Sequence, residues 1–105
     1  MVRFKIDILD ELKKAGWNRT KLNKTRIISS MTIQHILDRT RLQNLPAEEI
    51  AADPRLSKKS IDDIMLPNLE SLNTICIMLG KQISDIIEIV PTDEEIIKVH
   101  RMKMS

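Results

Sequence analysis

The apolar residues of the chain recur at helical spacing near both of its ends. Close to the N-terminus they fall every three or four residues, at Phe4, Ile8, Leu9 and Leu12. This period gives a helix one apolar face and predicts a first helix over residues 4–15. Gly16 follows at the position of a left-handed C-cap, because glycine adopts a positive φ without steric cost.

A second and a third helix are predicted directly after this glycine. Asn18 or Thr20 can cap the second helix, which Leu22 anchors to the core. Two short helices joined by a tight turn are typical of a helix-turn-helix, although this turn lacks the usual glycine. Ser29 can cap the third helix, and the apolar face of that helix consists of Ile33, Ile36 and Leu37.

The C-terminal half has the most regular helical pattern in the chain. Gly80 is an expected C-cap, and a shorter helix then extends to Val90, where Pro91 stops it. Cys76 lies within the apolar stripe before this glycine, so we interpret it as a core residue rather than a reactive thiol. The stripe follows the i, i+3, i+4, i+7 pattern and consists of Leu72, Ile75, Cys76 and Leu79.

Residues 91–105 form a C-terminal tail with a helical signature of its own. Thr92 and Glu95 stand at capping-box spacing. Acidic residues come first and basic residues last, which suits the helix dipole. We expect a helix that docks on the body or on a second subunit, or else a frayed tail; the apolar residues available for docking are Ile96, Ile97 and Val99.

Residues 40–66 separate the two halves and are more acidic than the region before them. Pro46 suits the first turn of a helix that extends to about Ala52, and the next proline breaks it. Ser57 can cap another short helix that extends to about Met65. We therefore expect a helical insertion.

Composition favours a single helical domain. The chain has 105 residues, of which only two are glycine, and no alternating strand pattern recurs. We predict an all-α fold in which residues 1–90 form one domain, with an insertion at 40–66 and a tail at 91–105. The single cysteine, the lack of a secretory leader and the lack of a membrane-length apolar run predict a cytoplasmic protein.

The charge is unevenly distributed. Residues 1–45 hold ten Lys and Arg against four Asp and Glu, and residues 18–36 hold no acid at all. A basic block of this kind attracts phosphate backbones. His35 and His100 have no cysteine or histidine companions at metal-ligand spacing, and no phosphate-binding glycine loop is present. The sequence therefore gives no basis for an enzyme, a metal site or a cofactor.

Four stretches carry a resemblance to a known family: FKIDILDELKKAGWNRTKL, IISSMTIQHI, LPNLESLNTICIMLG and QISDIIEIVP. The chain resembles the Cro and phage-repressor class of helix-turn-helix proteins, often called XRE-like, and in particular small regulators of bacteria and mobile elements. The resemblance implies a five-helix fold of lambda-repressor type, whose third helix lies in the DNA major groove. Residues 40–66 would then be an insertion between the third and fourth helices.

The resemblance also implies which residues contact DNA. Base or groove contacts fall to the outward-facing start of the third helix, at Ser30, Met31, Thr32, Gln34 and His35. Phosphate contacts fall to Arg19, Thr20, Lys21, Ser29 and Arg39. Side-chain chemistry agrees with this assignment, because Gln34 can bond an adenine edge twice and Met31 can touch a thymine methyl group.

The expected function is sequence-specific binding of double-stranded DNA by a transcriptional regulator, a repressor by analogy, without a cofactor. Members of the family commonly bind two-fold operators as dimers, so a homodimer is a second candidate partner. The expected location is the cytoplasm, at the nucleoid. No membrane and no small-molecule ligand is indicated by the sequence.

Two alternatives remain open. Residues 46–65 also read as a helix-turn-helix, with Ser57, Lys58, Lys59 and Ser60 opening a recognition helix, although the acidic character of this segment counts against it. A protein-binding adaptor or antitoxin-like module could keep the same scaffold without reading DNA. Its interaction surfaces would be the insertion and the tail.

Overall fold

This computed structural model describes residues 1–104 of the chain. The described residues contain seven α-helices and two short strands. In chain order the elements are β1 (Val2–Phe4), α1 (Ile8–Lys14), α2 (Arg19–Thr25), α3 (Ser30–Asn44), α4 (Ala47–Ala52), a single 3₁₀ turn (Ile61–Asp63), α5 (Leu69–Leu79), α6 (Ile83–Ile86), β2 (Ile87–Ile89) and α7 (Asp93–Met104). The expectation of a mainly helical protein is confirmed. The two strands fall outside the all-α prediction.

The N-terminal strand shortens the first predicted helix. Residues 2–4 pair antiparallel with residues 87–89, and Phe4 stands opposite Ile87. Helix α1 therefore begins at Ile8, where the Asp7 side chain accepts a hydrogen bond from the amide of Asp10. The same pairing ends the helix predicted up to Val90 early, because its last residues adopt the extended backbone of β2.

Side chains of α3 form hydrogen bonds with the backbone groups on the outer edge of β1. The Gln43 amide accepts a hydrogen bond from the Phe4 amide at 2.9 Å and donates one to the Phe4 carbonyl at 2.6 Å. Arg39 donates to the carbonyl of Val2 at 3.1 Å. A strand edge otherwise leaves such groups unpaired, so α3 takes the place of a third strand.

One hydrophobic cluster joins the two halves of the chain. Cys76 packs against this cluster and is half-buried, as expected of a core residue. Gly80 ends α5 at a φ of 63°, the left-handed C-cap expected there. The buried members come from β1, α1, α2, α3, α5, α6 and the turn before α3: Phe4, Ile8, Leu12, Leu22, Ile28, Ile33, Ile36, Ile75 and Ile86.

The inserted segment differs from its prediction in two ways. Helix α3 continues to Asn44, so the first residues of the insertion extend this helix, and α4 follows as expected. The helix predicted from Ser57 to Met65 is wrong, because residues 54–58 form turns and only the 3₁₀ turn follows. Leu56 is fully buried, so this irregular segment is packed rather than loose.

The tail is helical and begins at its predicted cap. The Thr92 amide donates to the Glu95 carboxylate and the Glu95 amide donates to the Thr92 hydroxyl. Glu95 also pairs with the Met1 ammonium group. This contact holds the pKa of Glu95 down, at about 2. Ser105, the last residue of the predicted tail, lies outside the described residues. None of the described helices is long and apolar enough to cross a membrane.

Candidate nucleic-acid interface

The turn between α2 and α3 is built from side-chain caps and one left-handed residue. The Asn18 side chain caps α2 by accepting from the amide of Lys21 at 2.8 Å. Arg26 ends α2 at a φ of 53°, so an arginine occupies the backbone conformation that a glycine usually takes in such a turn. Ser29 then caps α3, as predicted, by accepting from the amide of Thr32 at 3.1 Å.

A concavity of about 640 Å³ lies between α2 and α3. Two arginines, Arg19 and Arg26, and several hydroxyl and amide groups border it, and no acidic residue is among its described lining. Such a surface is rich in hydrogen-bond donors and suits an anion. The lining residues are Arg19, Leu22, Asn23, Arg26, Ile28, Ser29, Ser30 and Gln34.

The five residues predicted to contact bases all lie in the first two turns of α3, but they differ in exposure. Ser30 and Met31 are exposed, and Met31 has 68% of its surface free. Thr32, Gln34 and His35 are half-buried. The Thr32 hydroxyl also accepts a hydrogen bond from the Ser29 hydroxyl at 2.8 Å, so part of its hydrogen-bonding capacity is already used within the cap.

Three of the predicted phosphate contacts lie together on the first turn of α2. Arg19, Thr20 and Lys21 are all exposed. The Lys21 ammonium lies 5.3 Å from the centroid of the Trp17 ring, a cation–π contact that restricts the lysine without neutralising it. Ser29 contributes mainly through its cap, because its hydroxyl already bonds twice to Thr32.

Arg39, the fifth predicted phosphate contact, has a different role. Its residue is only 5% exposed, and its guanidinium donates to the carbonyls of Ile61, Ile64 and Val2 at 2.7–3.1 Å. Burial lowers the pKa of this group, while nearby Asp62 raises it. A guanidinium enclosed by carbonyls cannot reach a phosphate, so the assignment of Arg39 to the phosphate set is wrong. It ties the inserted segment and β1 to α3.

Asp38 also belongs to this site, although the sequence did not predict it. Its side chain is only 2% exposed, and one oxygen accepts from Arg55 at 3.2 Å and from Lys59 at 3.4 Å. The other oxygen accepts from Nε2 of Gln34 at 3.0 Å. The available signal was the spacing of Gln34 and Asp38, because residues four apart on a helix are neighbours.

This hydrogen bond fixes the orientation of the Gln34 amide. An amide has one face that donates and one that accepts, and a carboxylate oxygen can only accept, so the nitrogen of Gln34 must face Asp38. One N–H of that nitrogen and the amide oxygen remain outside this bond. Arg55 and Lys59 of the inserted segment hold Asp38, and Asp38 in turn holds the amide of Gln34.

The second helix-turn-helix reading, over residues 46–65, does not match the structure. Its supposed recognition helix would begin at Ser57, where the chain forms turns. Lys59, one of its proposed readers, is paired with Asp38. No helix of that segment after Ala52 is longer than the 3₁₀ turn, so this alternative is wrong.

Within residues 1–104, no group of three or more His, Cys, Asp and Glu side chains lies close enough together to hold a metal ion. Comparisons of the chain with models of known protein families, with curated proteins and with solved structures found no match.

Proposed function

We propose that this chain binds double-stranded DNA sequence-specifically and regulates transcription, with α2 and α3 acting as a helix-turn-helix of the Cro and phage-repressor type. One observation carries the proposal: the exposed, polar start of α3 lies beside a cationic, acid-free α2. Phosphates require such cations, and acids would repel them. The cations on α2 and its C-cap are Arg19, Lys21, Lys24 and Arg26, all of them exposed.

In this proposal, only the first two turns of α3 enter the DNA. A B-DNA major groove is about 12 Å wide and admits one α-helix with its side chains. Ser30 and Met31 enter first because they are the most exposed. The second half of α3, where Asp38 and Arg39 are buried, stays inside the protein.

Gln34 supplies the principal base contact. Its amide oxygen and its remaining N–H form an acceptor–donor pair, which complements N6 and N7 of adenine. Because Asp38 holds the nitrogen on one side, the amide cannot rotate by half a turn and present the reverse order. Asp38 thus positions Gln34 so that it prefers adenine. Met31 is suited to contact the methyl group of a neighbouring thymine.

The phosphate contacts come from the concavity and its rim. Arg19 and Arg26 border it, and Ser30 adds a hydroxyl. Guanidinium groups bond phosphate oxygens with two parallel hydrogen bonds, so these two arginines would fix the register of α3 on the duplex. Lys21, held over Trp17, adds a further charge to the first turn of α2.

Selection of bound duplexes from a random pool, at two salt concentrations, tests the proposal. We expect enrichment of one short sequence and a steep loss of affinity with salt, since each phosphate contact contributes about one unit of logarithmic slope. Arg19→Ala should lower that slope by about one unit on every duplex. Lys81→Ala is the matched control, because Lys81 is also an exposed cation and lies just beyond α5.

A pool without enrichment, or binding with no salt dependence, would contradict the proposal. That outcome would favour the alternative function, a protein-binding adaptor or antitoxin-like module. Association with a partner through apolar side chains depends little on salt.

A further inference from the structure

None of the twelve residues of helix α7 is buried. Isolated helices of about this length are marginal in water and usually depend on tertiary packing. The first turn of α7 is fixed by the Thr92 and Glu95 cap, and Glu95 also pairs with the Met1 ammonium group of the body. The apolar residues farther along the helix are open to a packing surface.

Four of the five apolar side chains of α7, all except Met102, share one side of the helix. At about 100° per residue, four of them span an arc of roughly 160°. The exposed fractions are 44% for Ile96, 54% for Ile97, 64% for Val99 and 88% for Met104. Scattered exposed apolar residues are ordinary, but a continuous stripe of this kind marks an interaction surface.

The stripe continues onto the neighbouring strand. Ile89 of β2 is 74% exposed, and a groove of about 320 Å³ separates it from α7. Met1, Pro91, Glu95 and His100 complete the lining of this groove, together with Ile89, Ile96 and Val99. The surface of this groove is mainly apolar, so an apolar side chain is the natural occupant.

The charges of α7 indicate what covers it. Its first turn is acidic, with Asp93, Glu94 and Glu95, and its last turn is basic, with Arg101 and Lys103. With Lys98 included, the acids and bases are equal in number, so α7 has no excess positive charge to draw it to DNA or to an anionic membrane. A helix with opposite charges at its two ends is complementary to a reversed copy of itself.

We propose that α7 and the adjoining edge of β2 form a homodimer interface, in which the α7 helices of two copies pack antiparallel. Glu94 and Arg101 are seven residues apart and flank the same side of the stripe. In a two-fold antiparallel pair, Glu94 of each copy faces Arg101 of the other. A parallel pair would not bring these two residues together. The apolar residues of one stripe would fill the groove beside the other.

Sedimentation equilibrium of the full chain without DNA tests this proposal, which does not depend on the proposed function. We expect a concentration-dependent dimer. Val99→Asp should weaken it by a factor on the order of 100, because a carboxylate would be buried without a partner. Leu69→Asp is the matched control: Leu69 is 83% exposed on α5 and is not part of the groove lining, so its replacement should leave the dimer intact.

Charge reversal tests the antiparallel arrangement. Glu94→Lys or Arg101→Glu alone should weaken the dimer by about ten-fold, because each creates two like-charge pairs, and the double variant should recover most of that loss. Circular dichroism and Trp17 fluorescence establish that each variant is folded.

A chain that stays monomeric at high concentration would overturn the proposal, as would a dimer insensitive to Val99→Asp. Failure of the double variant to recover affinity would overturn the antiparallel pairing. Binding of a monomeric chain to anionic vesicles, lost in Val99→Asp, would assign the stripe to a lipid surface instead.

Discussion

The two halves of α3 differ in whether their side chains are open to a partner or covered by the rest of the protein. In the first half, Ser30 and Met31 are exposed and Gln34 is half-buried, so their side chains are open to a partner. In the second half, Asp38 and Arg39 are buried and bonded to the inserted segment. A charged residue on a helix therefore indicates a binding role only where no other part of the chain covers it.

The inserted segment is what separates these two halves. It supplies Arg55 and Lys59 to Asp38, and the carbonyls of Ile61 and Ile64 to Arg39. Buried charges need partners of this kind, because an unpaired one costs several kcal/mol. The segment thus completes the fold and also orients Gln34, at the boundary between the two halves.

Arg39→Ala should produce the largest effect and would show that the second half of α3 is structural. Three carbonyls lose their donor, so we expect the free energy of unfolding to fall by about 3 kcal/mol. Urea denaturation measures the change, and Arg39→Lys, which keeps the charge, should recover part of it. Arg41→Ala is the control, because Arg41 is exposed and its loss should cost less than about 0.5 kcal/mol. Equal effects at the two positions would contradict this division of α3.

Gln34→Ala should have the next largest effect, on recognition rather than stability. We expect discrimination at one base pair to fall by about 1–3 kcal/mol, because the side chain supplies a two-point contact. Titration of the selected duplex and its single-base variants measures the loss. Asn73→Ala, an exposed amide on α5, is the control. A variant that retains the full preference would remove Gln34 from the reading set.

Asp38→Asn tests whether a buried residue of the second half of α3 orients Gln34 in the first half. An asparagine can present its nitrogen to Gln34, which frees the amide to reverse, so the preference for adenine should weaken by about 1 kcal/mol. Arg55→Gln leaves the Gln34–Asp38 bond in place and should lower stability without changing the preference. If both variants change recognition alike, orientation of Gln34 is not the role of Asp38.

Arg26→Gly should have the smallest effect and should act on the turn that leads into the first half of α3. A left-handed conformation costs a non-glycine residue about 1–2 kcal/mol, and the greater freedom of glycine in the unfolded chain offsets part of the gain. We expect a rise in the free energy of unfolding of about 0.5 kcal/mol, together with weaker, less salt-dependent binding to DNA. Thermal unfolding and salt titration measure the two changes. A lower free energy of unfolding would contradict the claim that the backbone at Arg26 is strained.

Local features of the fold could be predicted from the sequence because they depend on neighbours in the chain. The caps at Asn18, Ser29 and Thr92 join residues three positions apart, and the apolar periods fix which faces meet the core. Thr92 and Glu95 are such a local pair, and they begin α7 where expected. The positions of α1, α2, α3 and α5 follow from these signals to within a few residues.

Long-range contacts decided the rest. Val2 pairs with Ile89, a contact that no three-residue pattern could indicate, and it converted the ends of two predicted helices into strands. Arg39 and Arg41 look alike in sequence, yet only Arg39 is covered, because residues 61 and 64 return to α3. The sequence by itself determined where helices begin and which faces are apolar, since these are matters of local hydrogen bonding and periodicity. Only the tertiary structure decided which polar residues remain open to a partner, since burial depends on segments far away in the chain.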